Sequence, residues 1–190
     1  FYANKQITTG EGGMITTNNK KIYLKMRSLR NLAFGEKDRF NHDDIGWNYR
    51  MTNIQATLGI SQLSRIKNIV RTRHAIGLQY FNNLKNNKNL YIPEPKKKFA
   101  KNIYWVIGII IINKKIRFDA KKVMYLLKKL GIGSRPFFWP MHKQKVLKDT
   151  KLQNSTRFKN STYISKYGFY LPSSLSLTSS EINYICKKVN

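Results

Sequence analysis

The sequence predicts an α/β protein, and three patterns support that prediction. A run of β-branched residues at Ile103–Ile112 is typical of a buried strand. Apolar residues recur at helical spacing after Thr52, and again between Asp119 and Leu130, with Thr52 and Asp119 as N-caps. A strand followed by helices of this length is expected to form a small sheet covered by helices.

The composition is that of a folded chain without disulfides. The 190 residues are 41% hydrophobic and 13% aromatic, which is too rich for a disordered tail. The one cysteine, Cys186, excludes a disulfide framework and a cysteine-based zinc site, and we expect no metal. The longest apolar run, Val106–Ile112, is far shorter than the roughly 20 residues of a membrane helix, and no leader pattern is present. We therefore expect a cytoplasmic protein with no membrane partner.

The N-terminal segment is expected to form a hairpin and then a helix. Gln6–Thr9 and Met14–Thr17 are rich in β-formers and flank the turn Gly10–Gly13. Asn18 or Asn19 is expected to cap the helix that follows, because an asparagine oxygen can accept from the first free backbone N–H groups.

A long loop and a long helix come next. Residues 34–50 show no clear period, and loops of that length tend to be functional. The helical pattern that begins at Thr52 continues to Leu84, which predicts a spine between two lobes. Pro93–Pro95 marks a break after it.

The remainder predicts a small α/β lobe. The strand at Ile103–Ile112 is expected to be buried on both faces, and Ile132–Ser134 to form a second, short strand. Arg135–Pro140 is a rigid aromatic loop. Two more helices are expected, one near Ser155–Lys166 and one at Thr178–Lys188.

The net charge of +27, from 36 Lys and Arg against 9 Asp and Glu, raises the alternative of a basic nucleic-acid-binding module. Lysine and asparagine are over-used throughout, as in Lys85–Asn89 and Lys96–Lys98, which indicates coding bias on a solvated surface. The spacing of a zinc finger and the heptads of a basic zipper are both absent from the sequence. Nucleic acid is therefore a disfavoured partner.

Lys5 is the first candidate for chemistry. A lysine amine can form a covalent bond with a carbonyl group, and nearby glycines allow a flat cofactor to approach the backbone closely. Composition alone leaves Lys5 as one solvated lysine among many.

Four blocks of sequence, in order, resemble the DegT/DnrJ/EryC1/StrS sugar aminotransferases. They are Phe1–Met14, Gly46–Ala56 continued by Gly59–Leu63, Arg135–His142, and Leu171–Ser173. The resemblance implies the C-terminal part of a fold-type I transferase that depends on pyridoxal 5'-phosphate. It also implies three parts, namely the end of the large cofactor-binding domain with the lysine hairpin and interface loop at 1–50, a long linking helix at 51–85, and a small C-terminal α/β domain at 86–190.

The chain opens at Phe1 in the middle of the first block, and about half of such an enzyme is absent. We therefore expect a fragment that is inactive alone, and a non-catalytic remnant of the family is a second alternative.

The resemblance implies a reaction. Pyridoxal phosphate would be bound covalently to Lys5, and an amino group would move from an amino acid, usually glutamate, to the keto carbon of a nucleotide-linked deoxysugar. Lysine at this position favours transamination, whereas relatives with histidine dehydrate. Arg30–Phe34, with Arg39, Phe40 and His42, resembles the branch that acts on GDP-4-keto-6-deoxymannose in the synthesis of surface polysaccharide or lipopolysaccharide O-antigen.

The resemblance also implies site residues. Asn48 would bind the cofactor phosphate of the partner subunit in a homodimer with shared active sites; a loop-capping asparagine is the alternative. The candidates for contact with the substrate are His42, Arg50, Arg135, Phe138, Trp139 and His142. Their alternatives are a surface histidine at His42, a structural arginine at Arg50, and packing within the proline-flanked aromatic loop.

Overall fold

A computed structural model describes residues 1–35, 38–113, 115–147 and 158–190. The chain is of the mixed α/β class, as predicted, and it divides into two compact units, Phe1–Asn68 and Ile69–Asn190. Across the described ranges, we find no helix with the length and apolar character that crossing a bilayer requires.

The helices of the described ranges are α1 (Lys20–Arg30), α2 (Asn53–Leu63), α3 (Ile66–Leu84), α4 (Ala120–Lys129), α5 (Lys159–Tyr167) and α6 (Ser179–Val189). The strands are β1 (Leu90–Tyr91), β2 (Lys96–Lys97), β3 (Ala100–Lys101), β4 (Ile107–Ile111), β5 (Arg135–Pro136) and β6 (Gly168–Leu171).

The N-caps predicted in the first unit are confirmed. Asn19 caps α1, and its side-chain oxygen accepts from the backbone N–H of Ile22 at 3.2 Å. Thr52 caps α2 in a reciprocal capping box with Gln55, so two backbone donors that would otherwise be unpaired are satisfied. These bonds join residues three positions apart, which is why the sequence alone locates both helix starts.

The hairpin predicted at the start of the chain is wrong. Gln6–Thr9 and Met14–Thr17 form no strand, and a single parallel bridge joins Tyr2 to Gly10. A strand is stabilised by a ladder of hydrogen bonds to a neighbouring backbone. Among the described residues, none pairs in this way with Met14–Thr17.

The long helical pattern after Thr52 is divided between α2 and α3. Ser64 N–H still donates to the Ile60 carbonyl four residues back at 3.1 Å, whereas Arg65 N–H donates to the Gln62 carbonyl three residues back at 3.0 Å, so the chain tightens as α2 ends. Only two residues separate α2 from α3, so the apolar spacing in the sequence still looks like that of one continuous helix. The three-part division at 50/51 and 85/86 stays a prediction.

The second unit is built on a four-stranded antiparallel sheet in the order β1-β4-β6-β5. The predicted strand is present, but it begins only at Ile107, because Tyr104 adopts a positive φ of 49° that interrupts extended backbone. Burial alternates along β4, with Ile107, Ile109 and Ile111 buried and the residues between them half-buried. The expectation that the strand is buried on both faces is therefore wrong, since one face is only half-buried.

The other strands of the sheet differ from the sequence prediction. Ile132–Ser134 forms no strand, and β5 is Arg135–Pro136 instead. The central strand β6 was missed, although the apolar run Gly168–Leu171 before Pro172 is a signal for it. Such short strands are specified by pairing across the sheet, here Ile109 opposite Phe169, rather than by local pattern.

Two buried tyrosines, Tyr80 on α3 and Tyr104 before β4, bond to backbone carbonyls of the second unit. The Tyr80 hydroxyl donates to the Pro172 carbonyl at 3.0 Å, and the Tyr104 hydroxyl donates to the Pro93 carbonyl at 3.3 Å. Burial raises the pKa of Tyr104 to about 12 and raises the pKa of Tyr80 as well. Both hydroxyls therefore remain protonated donors at neutral pH.

The remaining helices largely follow the prediction. Asp119 caps α4, Gly131 ends it with a φ of 75°, and Thr178 begins α6 in a capping box with Glu181. Helix α5 covers the later part of the helix expected near Ser155–Lys166. Residues 148–157 lie outside the described residues, so the start of that prediction does too.

Candidate active site

Lys5 lies on a loop that folds back on itself. The Phe1 carbonyl accepts from the Thr9 N–H at 3.0 Å and from the Thr8 hydroxyl at 2.9 Å. The Lys5 N–H donates to the Tyr2 carbonyl at 3.0 Å, which closes a turn, and the Lys5 side chain is exposed. Two sets of backbone bonds, one on each side of Lys5, thus hold the segment that presents its amine.

The glycines after Lys5 are required by the backbone. Gly10 and Gly12 have φ angles of 80° and 123°, which favour glycine strongly. A Cβ at Gly12 would also lie 3.2 Å from the side chains of Met51 and Thr9, which is tighter than most Cβ contacts. The glycine block therefore shapes the Lys5 loop through its backbone angles and its close internal packing.

The loop from residue 31 to residue 50 is fixed at its base by a strained pair. Leu32 and Ala33 have positive φ angles of 64° and 51°, and Ala33 is fully buried. A Cβ on Gly46 would overlap the backbone of both residues, so glycine is needed there. Lys25 and Asp44 form an ion pair of 2.5 Å beside this base, and the Lys25 hydrogen bond lowers the pKa of Asp44. Strain of this kind is often retained at functional sites.

The structure brings Asn48 and Arg50 together on this loop. Arg50 Nε donates to Asn48 Oδ1 at 3.0 Å, and both side chains are exposed. This bond occupies the amide oxygen and leaves Asn48 Nδ2 as the donor end. Arg50 thus orients Asn48. This role is neither direct contact with a substrate nor a purely structural one, the two possibilities that the sequence left open for Arg50.

His42 is held within the same loop. Its Nδ1 lies 2.7 Å from the Leu32 carbonyl, and its ring lies 5.0 Å from that of Phe34. The Arg39 guanidinium lies over the rings of Phe34 and Phe40, at 5.9 and 5.8 Å. These contacts support the alternative of a loop histidine with a local role, and contact between His42 and a substrate stays a prediction.

Three candidates of the second unit are exposed on or beside β5. Arg135 pairs with Tyr170 of β6, while Phe138 and Trp139 are 72% and 58% exposed. Trp139 Nε1 donates to the Lys143 carbonyl at 2.9 Å, which fixes the indole. Accessible aromatic faces of this kind are available to a ligand.

His142 differs from its neighbours because it is only 7% exposed. Its Nε2 lies 3.0 Å from the Thr162 hydroxyl, and its ring stacks on Phe158 at 5.0 Å. These contacts favour packing over contact with a substrate. The sequence pattern of a proline-flanked aromatic loop gave no sign of which residue would point inward.

Sequence reasoning missed two residues, one in each unit, whose side chains anchor distant backbone of the same unit. Gln62 of α2 pairs with the backbone of Thr8, and Arg73 of α3 donates to the carbonyls of Trp105 and Ser173 at 3.2 and 3.1 Å. Burial lowers the pKa of Arg73. The only sequence signal was indirect, since Gln62 and Ser173 belong to the blocks that resemble the family.

The first unit leaves much of its apolar surface uncovered. No side chain of α1 or α2 is buried, and Ile54 is 78% exposed. Both ends of the Gln6 side-chain amide are shielded from solvent without a hydrogen-bond partner among the described residues. A buried amide without partners costs stability, so the segment next to Lys5 has unmet capacity for a donor and an acceptor.

Comparison with known proteins explains why the four sequence blocks described above occur in this order. The model of the DegT/DnrJ/EryC1/StrS aminotransferase family matches residues 1–190. This chain belongs to that family. The family depends on pyridoxal phosphate, and the assignment of Lys5 as the cofactor lysine stays a prediction.

Individual relatives in the family are sugar aminotransferases. A GDP-perosamine synthase of Escherichia coli is 32% identical over 190 residues, covering 100% of this chain and 50% of that protein. The GDP-perosamine synthase of Vibrio cholerae is 33% identical over 186 residues, covering 98% and 49%. The chain thus spans about half the length of the curated relatives it matches.

A solved family structure agrees with the fold. It is Helicobacter pylori PseC, an aminotransferase involved in the biosynthesis of pseudoaminic acid. Its TM-score is 0.82 at 26% identity, and the match covers 97% of this chain and 49% of that one. The chain has the fold of the C-terminal part of a fold-type I transferase.

Proposed function

We propose that the protein to which this chain contributes transfers an amino group from glutamate to the keto carbon of GDP-4-keto-6-deoxymannose. The observation that supports this most directly is the 32% identity, over all 190 residues, to a GDP-perosamine synthase. The reaction needs no external oxidant, because the donor becomes 2-oxoglutarate as the keto sugar becomes an amino sugar.

The residues present fit pyridoxal phosphate. Lys5 offers an exposed primary amine, and the neighbouring Gln6 amide has a donor and an acceptor unmet by the described residues. Asn48 Nδ2 is a donor suited to a phosphate oxygen, and Arg50 fixes its direction. When bound, the cofactor supplies an electrophilic carbon and an electron sink.

Within this proposal, Lys5 is the proton carrier. Its Nζ would accept the proton from the Cα of the amino donor and later deliver a proton to the carbon that receives the amino group. The exposed rings of Phe138 and Trp139 would contact the sugar nucleotide. The remaining parts of the site would come from residues outside this chain, since it spans about half of its relatives.

The test is an assay of the purified full-length protein with pyridoxal phosphate, L-glutamate and either GDP-4-keto-6-deoxymannose or a UDP-linked 4-keto sugar. We expect 2-oxoglutarate and an amino sugar nucleotide in equal amounts with the GDP substrate. Preference for the UDP substrate would show that the GDP branch is wrong. Absence of 2-oxoglutarate with both substrates would contradict transamination itself.

We also propose a homodimer in which Asn48 completes the site of the partner subunit. The exposed Asn48–Arg50 pair, at the end of a loop with an anchored base, supports this arrangement. Mixing Asn48→Ala with Lys5→Ala subunits should form hybrid dimers with one intact site each, and restore roughly a quarter of the wild-type rate. Subunit exchange followed by the same assay checks this. A rate equal to the sum of the two separate variants would exclude shared sites.

The basic charge is expected to play no part in turnover. Lys96–Lys98 lie on the β2–β3 hairpin, where Lys96 faces Lys101 across the strands. We expect neutralising Lys96, Lys97 and Lys98 to leave the Michaelis constant for the sugar nucleotide nearly unchanged. A several-fold rise that vanishes in high salt would instead reveal steering of the anionic substrate.

A further inference from the structure

Gln62 makes an unusual pair of hydrogen bonds with the segment that carries Lys5. The Thr8 N–H donates to Gln62 Oε1 at 3.1 Å, and Gln62 Nε2 donates to the Thr8 carbonyl at 2.6 Å. The two residues are 54 positions apart, and both bonds are partly buried. One side-chain amide thus pairs with both backbone polar groups of one residue, as a neighbouring strand would.

Thr8 is close to Lys5 along the chain, so bonds that fix Thr8 also restrict the position of Lys5. The segment from Lys5 to Thr8 is fixed at one end by the Lys5 N–H bond to the Tyr2 carbonyl. At the other end, Thr8 is held by Gln62 and by its own hydroxyl bond to the Phe1 carbonyl. The Gln62 bonds connect this segment to a helix, whereas the other bonds lie within the loop.

The helix that supplies Gln62 is a firm support. Helix α2 starts at a complete capping box, which satisfies its first backbone donors. Gly59, one turn before Gln62, lies so near the same segment that a Cβ there would be 3.1 Å from Thr9 Cγ2. Close packing and a two-point hydrogen bond together fix the distance and the register of the lysine segment against α2.

We propose that Gln62 is a positioning residue for the Lys5 amine, acting through the backbone of Thr8. The proposal rests on the function proposed above, in which Lys5 moves the proton. Displacement of a catalytic group by about 1 Å can reduce a rate by about 100-fold, so the two-point anchor has a kinetic consequence. Because the Gln62 bonds act on Lys5 through the backbone of Thr8, loss of Gln62 should alter the proton-transfer rate and leave donor binding unchanged.

The test compares Gln62→Leu and the isosteric Gln62→Glu with Ser61→Ala, a change at an exposed neighbour on α2. In the full-length protein, the single-turnover rate of 2-oxoglutarate release from L-glutamate should fall about 10- to 100-fold in Gln62→Leu. The half-saturating glutamate concentration should stay within about twofold of wild type, because no donor contact changes. Without cofactor, hydrogen exchange of the Thr8 amide should become at least about tenfold faster, since its acceptor is lost.

The Gln62→Glu variant supplies the readout that distinguishes positioning from general support. Its ionised carboxyl can accept from Thr8 N–H but repels the Thr8 carbonyl, whereas the protonated carboxyl can donate to that carbonyl. The defect relative to wild type should therefore shrink as the pH falls through the pKa of the introduced carboxyl. The Gln62→Leu defect should not depend on pH. This variant also retains the size of the side chain, so it tests the proposal if Gln62→Leu fails to fold.

The outcomes separate this proposal from the proposed function. If Lys5→Ala is inactive while Gln62→Leu and Gln62→Glu retain the wild-type rate, Lys5 acts as proposed and the positioning role is wrong. The positioning role is also wrong if the half-saturating glutamate concentration rises by as large a factor as the rate falls. It is equally wrong if the rate defect of Gln62→Glu does not shrink at low pH. If Lys5→Ala remains active, the proposed function itself fails.

Discussion

Replacing Lys5 with alanine is expected to abolish amino-group transfer in the full-length protein. The variant loses the amine that would both bind pyridoxal phosphate covalently and carry the proton, so it loses the group proposed for both steps. The rate should fall by at least about 1,000-fold, which is the scale of losing a positioned general base together with covalent attachment. The measurement is 2-oxoglutarate release from L-glutamate.

A cofactor-based readout accompanies this test. After treatment with borohydride, wild-type protein should retain pyridoxal phosphate on the peptide that contains Lys5, and Lys5→Ala should retain none. Lys121→Ala, at an exposed lysine on the first turn of α4, is the matched control and should behave as wild type. A reducible cofactor bond that persists in Lys5→Ala would assign the covalent role to a different lysine.

Replacing Gly77 with alanine is expected to destabilise the second unit strongly. Gly77 is buried on α3, and an added Cβ would overlap the ring of Tyr104 near its attachment to the backbone. Tyr104 is 2% exposed and its hydroxyl is bonded to Pro93, so the ring has little room to move. Because the overlap is severe and the ring cannot move away, it should cost about 3 kcal/mol or more, at or above the upper end for an overpacked core. Alanine gains only about 1 kcal/mol in helix propensity, so the net effect is destabilising.

Urea denaturation followed by circular dichroism measures this change. Gly133→Ala is the matched control, because a Cβ there meets no atom within 4 Å. It should leave the midpoint within experimental error of wild type. An unchanged midpoint in Gly77→Ala would show that α3 and Tyr104 do not pack as closely as the structure places them.

Much of the local structure followed from the sequence. The caps predicted at Asn19, Thr52 and Asp119 are confirmed, because a cap is a bond between residues three positions apart. Four ordered blocks were also enough to identify the family, and the match over residues 1–190 agrees.

The candidate site was predicted less completely than the fold. The sequence identified the block around Lys5, and the structure supplies the positive φ angles that require Gly10 and Gly12. The sequence could not reveal that Arg50 orients Asn48 or that His142 is enclosed by Thr162 and Phe158. The role of each of these depends on which way a side chain points within a loop, and no periodic pattern encodes that direction.

The sequence by itself determined where α1, α2, α4 and α6 begin, that the chain is α/β, and which family it belongs to. Only the tertiary structure decided that the segment before Met14 is a closed loop, that β6 lies at the centre of a sheet, and that Gln62 holds Thr8. The physical reason is the range of the interactions. Capping and helical periodicity are satisfied within a few residues, whereas a strand or a side-chain anchor is stable only when a distant partner is in place.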